Sequence, residues 1–245
     1  MAGHSKWKNI KHAKAATDAK RGAVFTKLIR EITVAAKGGG GDPDGNPRLR
    51  TAIDAARAQS MPKDNIDRAI KKGTGELEGV EYVDVTYEAY GPGGVALMIQ
   101  ALTDNPTRTV ADIRAKLSRN GGNLGTTGSV AFMFDRKGRM YLPASGDEDA
   151  MMEVALDAGA SDFAREDDAF AITTEPADLH AVKDALEKKG LKIAEARLEW
   201  IPQSTVHVTG GDAKTLVKLL GVLDDLDDVQ NVEGNFDIDE SALDD

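Results

Sequence analysis

The chain has 245 residues, 41% of them hydrophobic, with 31 Lys+Arg against 41 Asp+Glu and a formal net charge of −10. That composition belongs to a folded chain of two or three small units and excludes a disordered one. It contains no cysteine, hence no disulfide framework, thiolate metal site or cysteine nucleophile. Nothing approaches the run of about 18 apolar residues that a membrane span needs. The basic N-terminus also lacks the apolar run of a secretory signal, so a cytoplasmic location without membrane contact is expected.

Charge is strongly segregated. Residues 1–75 hold 16 Lys+Arg against 7 Asp+Glu, a net of +9, whereas residues 76–245 hold 15 against 34, a net of −19. A basic module on an acidic body points to a polyanionic partner contacted at one end only, because the body repels it.

In chain order, the apolar spacing of Phe25, Leu28, Ile29, Ile32, Ala35 and Ala36 predicts a helix over 24–37, ended by Gly38–Gly41. Asn46 as cap and Pro47 at the first helical position begin a second helix, with Leu49, Ala52, Ile53 and Ala56 on its buried stripe. A third starts near Pro62, carries Ile66, Ala69 and Ile70, and closes at Lys71-Lys72-Gly73. Beyond Val80 the period becomes two. Val83, Val85, Tyr87 and Ala89 alternate as a half-buried strand, and Gly91-Pro92-Gly93-Gly94 turns into the apolar run Val95–Leu102. A helix capped by Asn105 and Pro106 follows, with Val110, Ile113 and Leu117 inward, stopped by Asn120-Gly121-Gly122. Val130–Phe134 reads as a strand, and Asp135–Gly138 as a turn into Met140–Leu142.

From Arg139 the order is strand, helix (Glu148–Ala158), strand (Asp162–Arg165), strand (Ala169–Thr173), helix (Ala177–Lys189), strand (Leu191–Trp200). This βαββαβ succession is a ferredoxin-like pattern. After Pro202 come strand Thr205–Val208, helix Asp212–Leu226 and strand Val229–Phe236. They match the earlier half made by Val95–Leu102, Pro106–Arg119 and Val130–Phe134. The expected fold is therefore multi-domain α and α+β: an N-terminal helical bundle plus two ferredoxin-like α+β domains, the last inserted in the middle one. The expected bounds are 1–77 for the basic helical domain, 78–137 with 204–245 for the discontinuous domain, and 138–203 for the insert. The alternative makes Asp135–Gly138 a plain hairpin within the middle domain.

The candidate contact residues cluster in the head. Read as a helix, the stretch 3–14 puts His4, Trp7, Lys8, Lys11 and Lys14 on one side. Lysines beside an indole suit both a phosphate backbone and an unstacked base. The candidate set is Lys6, Trp7, Lys8, Lys11, His12, Lys14, Lys20, Arg21, Lys27, Arg30, Arg48, Arg50, Lys63, Arg68, Lys71 and Lys72. Any single lysine here reads better as a solvated face, and Trp7 could be a core residue, but the cluster as a whole favours nucleic acid. No helix-turn-helix, zinc finger or RNP-type motif is visible, so the residues leave the kind of nucleic acid open. The four histidines, His4, His12, His180 and His207, sit in different elements and pair with no nucleophile, so an enzyme has little footing. Gly122–Gly128 follows a helix instead of a strand and lacks the Gly-Lys-Ser/Thr ending of a phosphate loop. It reads as a flexible connection, with a backbone surface for RNA as the alternative. The acidic runs 166–168, 224–228 and 237–245 match no calcium loop. No cofactor, metal or small-molecule substrate is expected.

Several longer motifs carry a resemblance. Gly3-His4-Ser5-Lys6-Trp7, Asn9-Ile10-Lys11-His12, Phe25-Thr26-Lys27-Leu28, Asn46-Pro47-Arg48-Leu49-Arg50 and Met61-Pro62-Lys63-Asp64-Asn65-Ile66 are similar to the YebC/PmpR family. So are Arg68-Ala69-Ile70-Lys71-Lys72-Gly73, Tyr87-Glu88-Ala89-Tyr90-Gly91-Pro92-Gly93-Gly94, Thr103-Asp104-Asn105 and Asp227-Asp228-Val229-Gln230. The resemblance spans essentially the whole chain. It implies three domains, one helical and two α/β, in a cytoplasmic, non-catalytic, DNA-binding transcriptional regulator. It also implies an alternative, a ribosome-associated translation factor that binds ribosomal or transfer RNA and relieves stalling, since a mitochondrial relative is a translational activator. One departure is Ala23-Val24, where relatives often carry a lysine after Arg-Gly.

Overall fold

The computed structural model describes residues 18–166 and 168–238, which form a mixed α+β architecture. Among the described residues, three helices make the head: α1 (Asp18–Gly39), α2 (Pro47–Ala58) and α3 (Lys63–Gly73). Gly40 ends α1 with φ +87°, a conformation glycine adopts without steric cost. One buried asparagine joins the first two helices. The Asn46 side-chain oxygen accepts the Leu49 amide at 3.1 Å, and its NH2 donates to the Ala35 and Gly40 carbonyls, each at 2.8 Å. The core of the head is Ile32, Leu49, Ile53, Met61 and Ile66 among alanines. Such small side chains let helices approach closely: a Cβ on Gly73 would collide with the Thr33 carbonyl oxygen of α1.

β1 (Val83–Tyr90) and β2 (Ala96–Thr103) form an antiparallel hairpin in register from Val83↔Thr103 to Tyr90↔Ala96. After it come α4 (Pro106–Arg119), capped by Asn105, and the short edge strand β3 (Asn123–Leu124). β4 (Phe134–Pro143), α5 (Glu148–Asp157), β5 (Asp162–Glu166), β6 (Ala169–Thr174), α6 (Leu179–Lys188) and β7 (Glu195–Pro202) build a separate antiparallel sheet in the order β5-β6-β4-β7. The chain then adds β8 (Val206–Val208), α7 (Gly210–Asp224), β9 (Val229–Gly234) and β10 (Phe236–Ile238). β9 completes the first sheet as β3-β1-β2-β9, while β8 and β10 pair in parallel as a two-stranded sheet.

Both faces of β2, at the centre of the first sheet, are buried. Leu97 and Ile99 pack under α4 (Ile113, Leu117) and α7 (Leu216, Leu219, Leu220, Leu223). Ala96 and Met98, on the opposite face, meet Val130, Phe134 and Trp200. The continuous apolar run of β2 follows from this two-sided burial.

Four expectations are corrected. Val130–Phe134 is not a strand of the first sheet: Ala131–Met133 is a single 3₁₀ turn, and Phe134 opens β4. Asp135–Gly138 is not a turn, since β4 runs through it and pairs with β7 from Phe134↔Pro202 to Tyr141↔Glu195. Gly138 is there for close approach, because a Cβ would strike Thr174 and Leu179. Nor does the first sheet have ferredoxin-like order: β2 is flanked by β1, a partner reached through a tight turn, and β8 is left to pair with β10. The expected strand Val229–Phe236 also breaks at buried Asn235, whose amide and side-chain oxygen are both bonded to the Ala96 backbone.

Candidate nucleic-acid interface

The head cations divide into two groups. On α1, Lys27 and Arg30 turn toward the body. Lys27 donates to the Asp224 carbonyl at 2.7 Å and to its carboxylate at 3.2 Å. Arg30 donates to the Leu102 and Asp227 carbonyls and, at 2.6 Å, to the Asp228 carboxylate, with Tyr82 stacked 5.4 Å from its guanidinium carbon. On α2, Arg48 makes a two-pronged pair with Glu31 of α1, at 2.7 and 3.1 Å. Arg50 reaches Asp184 of α6 at 2.6 Å. These four side chains fasten the head to itself, to the end of α7 and the β2–β9 region, and to α6.

α3 is different. Ile66 and Ala69 face the core, while Lys63, Arg68, Lys71 and Lys72 are exposed. Among the described residues these four enter no ion pair. The helix repeat places Arg68, Lys71 and Lys72 on the side opposite Ile66 and Ala69. Asp64 and Asp67 on the same helix dilute the charge without neutralising it. Lys20 and Arg21 fall in the first turn of α1. Lys6, Trp7, Lys8, Lys11, His12 and Lys14 lie outside the described residues.

Sequence reading did not find the polar knot that receives α1. Asp228, 8% exposed, accepts hydrogen bonds from the hydroxyls of Thr109 (2.6 Å) and Thr103 (3.3 Å) and from the guanidinium groups of Arg108 (2.9 Å) and Arg30 (2.6 Å). Burial alone would raise its pKa, but the Thr109 hydroxyl and the two arginines outweigh burial and hold the carboxyl below the usual range. The signal was present: the motifs Thr103-Asp104-Asn105 and Asp227-Asp228 meet here. An adjoining cleft of about 470 Å³ is lined by Arg30, Arg108 and five aspartates, including Asp112 and Asp225. Its carboxylates repel a phosphate.

The junction with α6 holds a half-buried histidine. The Thr51 hydroxyl hydrogen-bonds His180 Nδ1 at 3.2 Å, and Lys183 of α6 pairs with Asp54 of α2 at 3.2 Å. Burial, then the positive charge of Lys183, push the His180 pKa below its ordinary value. Asp184 opposes this shift, and Arg50 and Arg48 add to it. The unfolded imidazole takes its proton at about pH 6.5. The folded one does so only at lower pH, so the stability present above pH ~6.5 is lost as pH falls through that window. The melting temperature is expected to fall between about pH 7 and pH 5.5, with His180→Asn flattening the slope. An unchanged slope in that variant would remove His180 from the account.

A family model described as "TACO1/YebC protein N-terminal domain" matches residues 5–76, and one described as "TACO1/YebC second and third domain" matches residues 82–236. A "Probable transcriptional regulatory protein" of Gemmatimonas aurantiaca is 66% identical over 244 residues, covering 99% of each chain. One from Desulforapulum autotrophicum is 56% identical over 245 residues, covering 100% of this chain and 99% of its own. The crystal structure of a conserved hypothetical protein from Aquifex aeolicus superposes with a TM-score of 0.85 at 48% identity, over 91% of this chain and 93% of that one.

Proposed function

Because this chain belongs to the TACO1/YebC family, we propose that it is a non-catalytic regulator that binds nucleic acid through its helical head, in the cytoplasm. The observation that carries this reading is the outer face of α3. Lys63, Arg68, Lys71 and Lys72 stand exposed without carboxylate partners among the described residues, on a segment of net +9 joined to a body of net −19. The basic segment 1–17 extends the same charge in sequence. The relatives' names speak for transcriptional regulation, and DNA is the target we infer for that role. In this reading the body positions the head, and the unit expected at 138–203, which β4 extends back to Phe134, is inserted between the two parts of the middle domain.

A second reading has one observation in its favour. The exposed cations of α3 come without a helix-turn-helix, zinc-finger or RNP-type motif that would present side chains to base edges. That is the equipment for recognising shape and backbone, as on ribosomal or transfer RNA. Gel shifts on duplex DNA at rising salt, beside co-sedimentation with ribosomes, separate the two. Ribosome association persisting at salt where duplex binding has vanished would replace the DNA reading with the RNA one. Binding to neither removes both.

A further inference from the structure

The first sheet has a bare edge. β1 lies between β2, which it pairs along its whole length, and β3, which reaches only Ala89 and Tyr90. Backbone direction alternates along a strand, and two bonds fix it here. The Gly91 amide donates to the Val95 carbonyl at 2.8 Å across the hairpin, and the Gly125 amide donates to the Glu88 carbonyl at 2.8 Å from the opposite side. Odd-numbered residues of β1 therefore turn their backbone groups toward β2, and even-numbered ones turn theirs outward. Past the end of β3, the N–H and C=O of Asp84 and Thr86 point out of the sheet. Both residues are exposed, and neither backbone takes a protein partner on that side among the described residues.

Two other edges are covered or defended. At the far side of the same sheet, β7 lies against β9. In the second sheet the edge strand β5 presents Asp162, Arg165 and Glu166, and charge on an edge strand discourages pairing. The open stretch of β1, Val83 to Tyr87, has one charge, Asp84, and no proline, lysine or bulge. On one face it carries Val83, Val85 and Tyr87. Tyr87 is packed on the core beneath α4, whereas Val83 is 45% exposed.

This stretch is complementary to itself. Val85 is its centre, and an antiparallel copy laid against it about a twofold axis there sets Val85 opposite its own copy, Val83 opposite Tyr87, and Asp84 opposite Thr86. The two Asp84–Thr86 pairs are of the hydrogen-bonded kind and exchange both bonds, which uses every outward N–H and C=O of the stretch. The Tyr87 ring covers Val83, the Thr86 hydroxyl faces the Asp84 carboxylate, and no like charges meet. An axis at Thr86 would instead oppose Asp84 and Glu88, two acids, and would need the Glu88 carbonyl that Gly125 already occupies. We propose that the bare edge of β1 is an interface between two copies of this chain, paired antiparallel about Val85 so that their first sheets become one. Such a contact is isologous, the same patch serving both subunits. It goes beyond the nucleic-acid reading and does not depend on it.

The test uses the full chain without nucleic acid. Sedimentation equilibrium across the micromolar range is expected to show monomer and dimer. Each copy carries a net charge of −10, so the dimer fraction should rise from about 0.05 to 0.3 M salt as repulsion is screened. Thr86→Pro removes an outward N–H and leaves the ladder with β2 intact, so it should stay folded by circular dichroism and lose the dimer. Cysteine cross-linking tests the same contact without relying on that variant, since the chain has no cysteine of its own. Val85→Cys should form a covalent dimer on mild oxidation, because opposed residues of that pair type sit about 4.5 Å apart between Cα atoms, within disulfide reach. Asp84→Cys and Thr86→Cys should cross-link to each other when mixed and not to themselves. A chain that is monomeric at every concentration overturns the proposal. So does a dimer in which Val85→Cys fails to cross-link, since the contact then lies elsewhere, and self-linking of Thr86→Cys in preference to Val85→Cys overturns the register. The head reading is untouched by any of these results.

Discussion

Asp228→Ala is expected to destabilise the protein by about 3–5 kcal/mol, the cost of stripping one partner from a buried ion pair. The side chain is the shared acceptor of two hydroxyls and two guanidinium groups. Arg30, 11% exposed, would be left with backbone carbonyls only. For a chain of this size that loss corresponds to a drop in melting temperature of roughly 10 °C. Asp228→Asn keeps the shape and loses the charge, so it should fall between. The pH response has a definite sign. A carboxyl whose pKa is lowered on folding contributes stability above its unfolded value of about 3.9 and loses it as pH falls through the folded one. Wild-type stability should therefore decline below about pH 4, and the alanine variant should lack that part of the decline. Thermal melts across pH decide it; an unchanged melting temperature in the alanine variant would show that the knot is dispensable.

The second large effect concerns binding. Reversing Lys63, Arg68, Lys71 and Lys72 to Glu is expected to lower duplex affinity at least about a hundredfold near 0.15 M salt. If each cation neutralises one phosphate, the slope of log K against log salt should become shallower by about 3.6. Stability should move by no more than about 1 kcal/mol, because exposed charges contribute little. Arg50→Ala gives the contrasting pattern. It removes the bond to Asp184 and leaves α3 untouched, so melting should shift more than affinity. Full binding by the α3 variant would remove that helix from the interface.

Local chemistry made much of this legible in sequence. Asn46 and Asn105 cap their helices as their spacing to Pro47 and Pro106 requires, and the alternation from Val83 is the strand it suggests. The succession of elements from β4 to β7 could be read because each has a clear period and breaker. What could not be read is non-local. Val130–Phe134 has strand composition, but Glu88, more than forty residues earlier, captures the amides of Val130 and Ala131 and bends the segment into a turn. Gly138 looked like a turn glycine, and only the position of Leu179 shows that it makes room in a strand. The head followed the same rule. Net charge showed that cations gather there, but only tertiary placement distinguishes Lys27, Arg30, Arg48 and Arg50, which clamp, from those on α3, which enter no ion pair among the described residues.

The pairing of β2 with β9 also bears on how the chain is made. Leu97 lies opposite Gly234, so a strand emerging early from a ribosome waits for one emitted near the end. The leucines of α7 that roof Leu97 arrive equally late. Until then β2, apolar on both faces, leaves one flank unsatisfied, the condition that slows topologies rich in distant contacts and invites wrong association. The sheet from β4 to β7 has all its strands within residues 134–202 and need not wait. Assembly during synthesis should therefore finish in the interior of the sequence before it finishes around it. Loss of β9 should be felt first at β2, far away along the polypeptide.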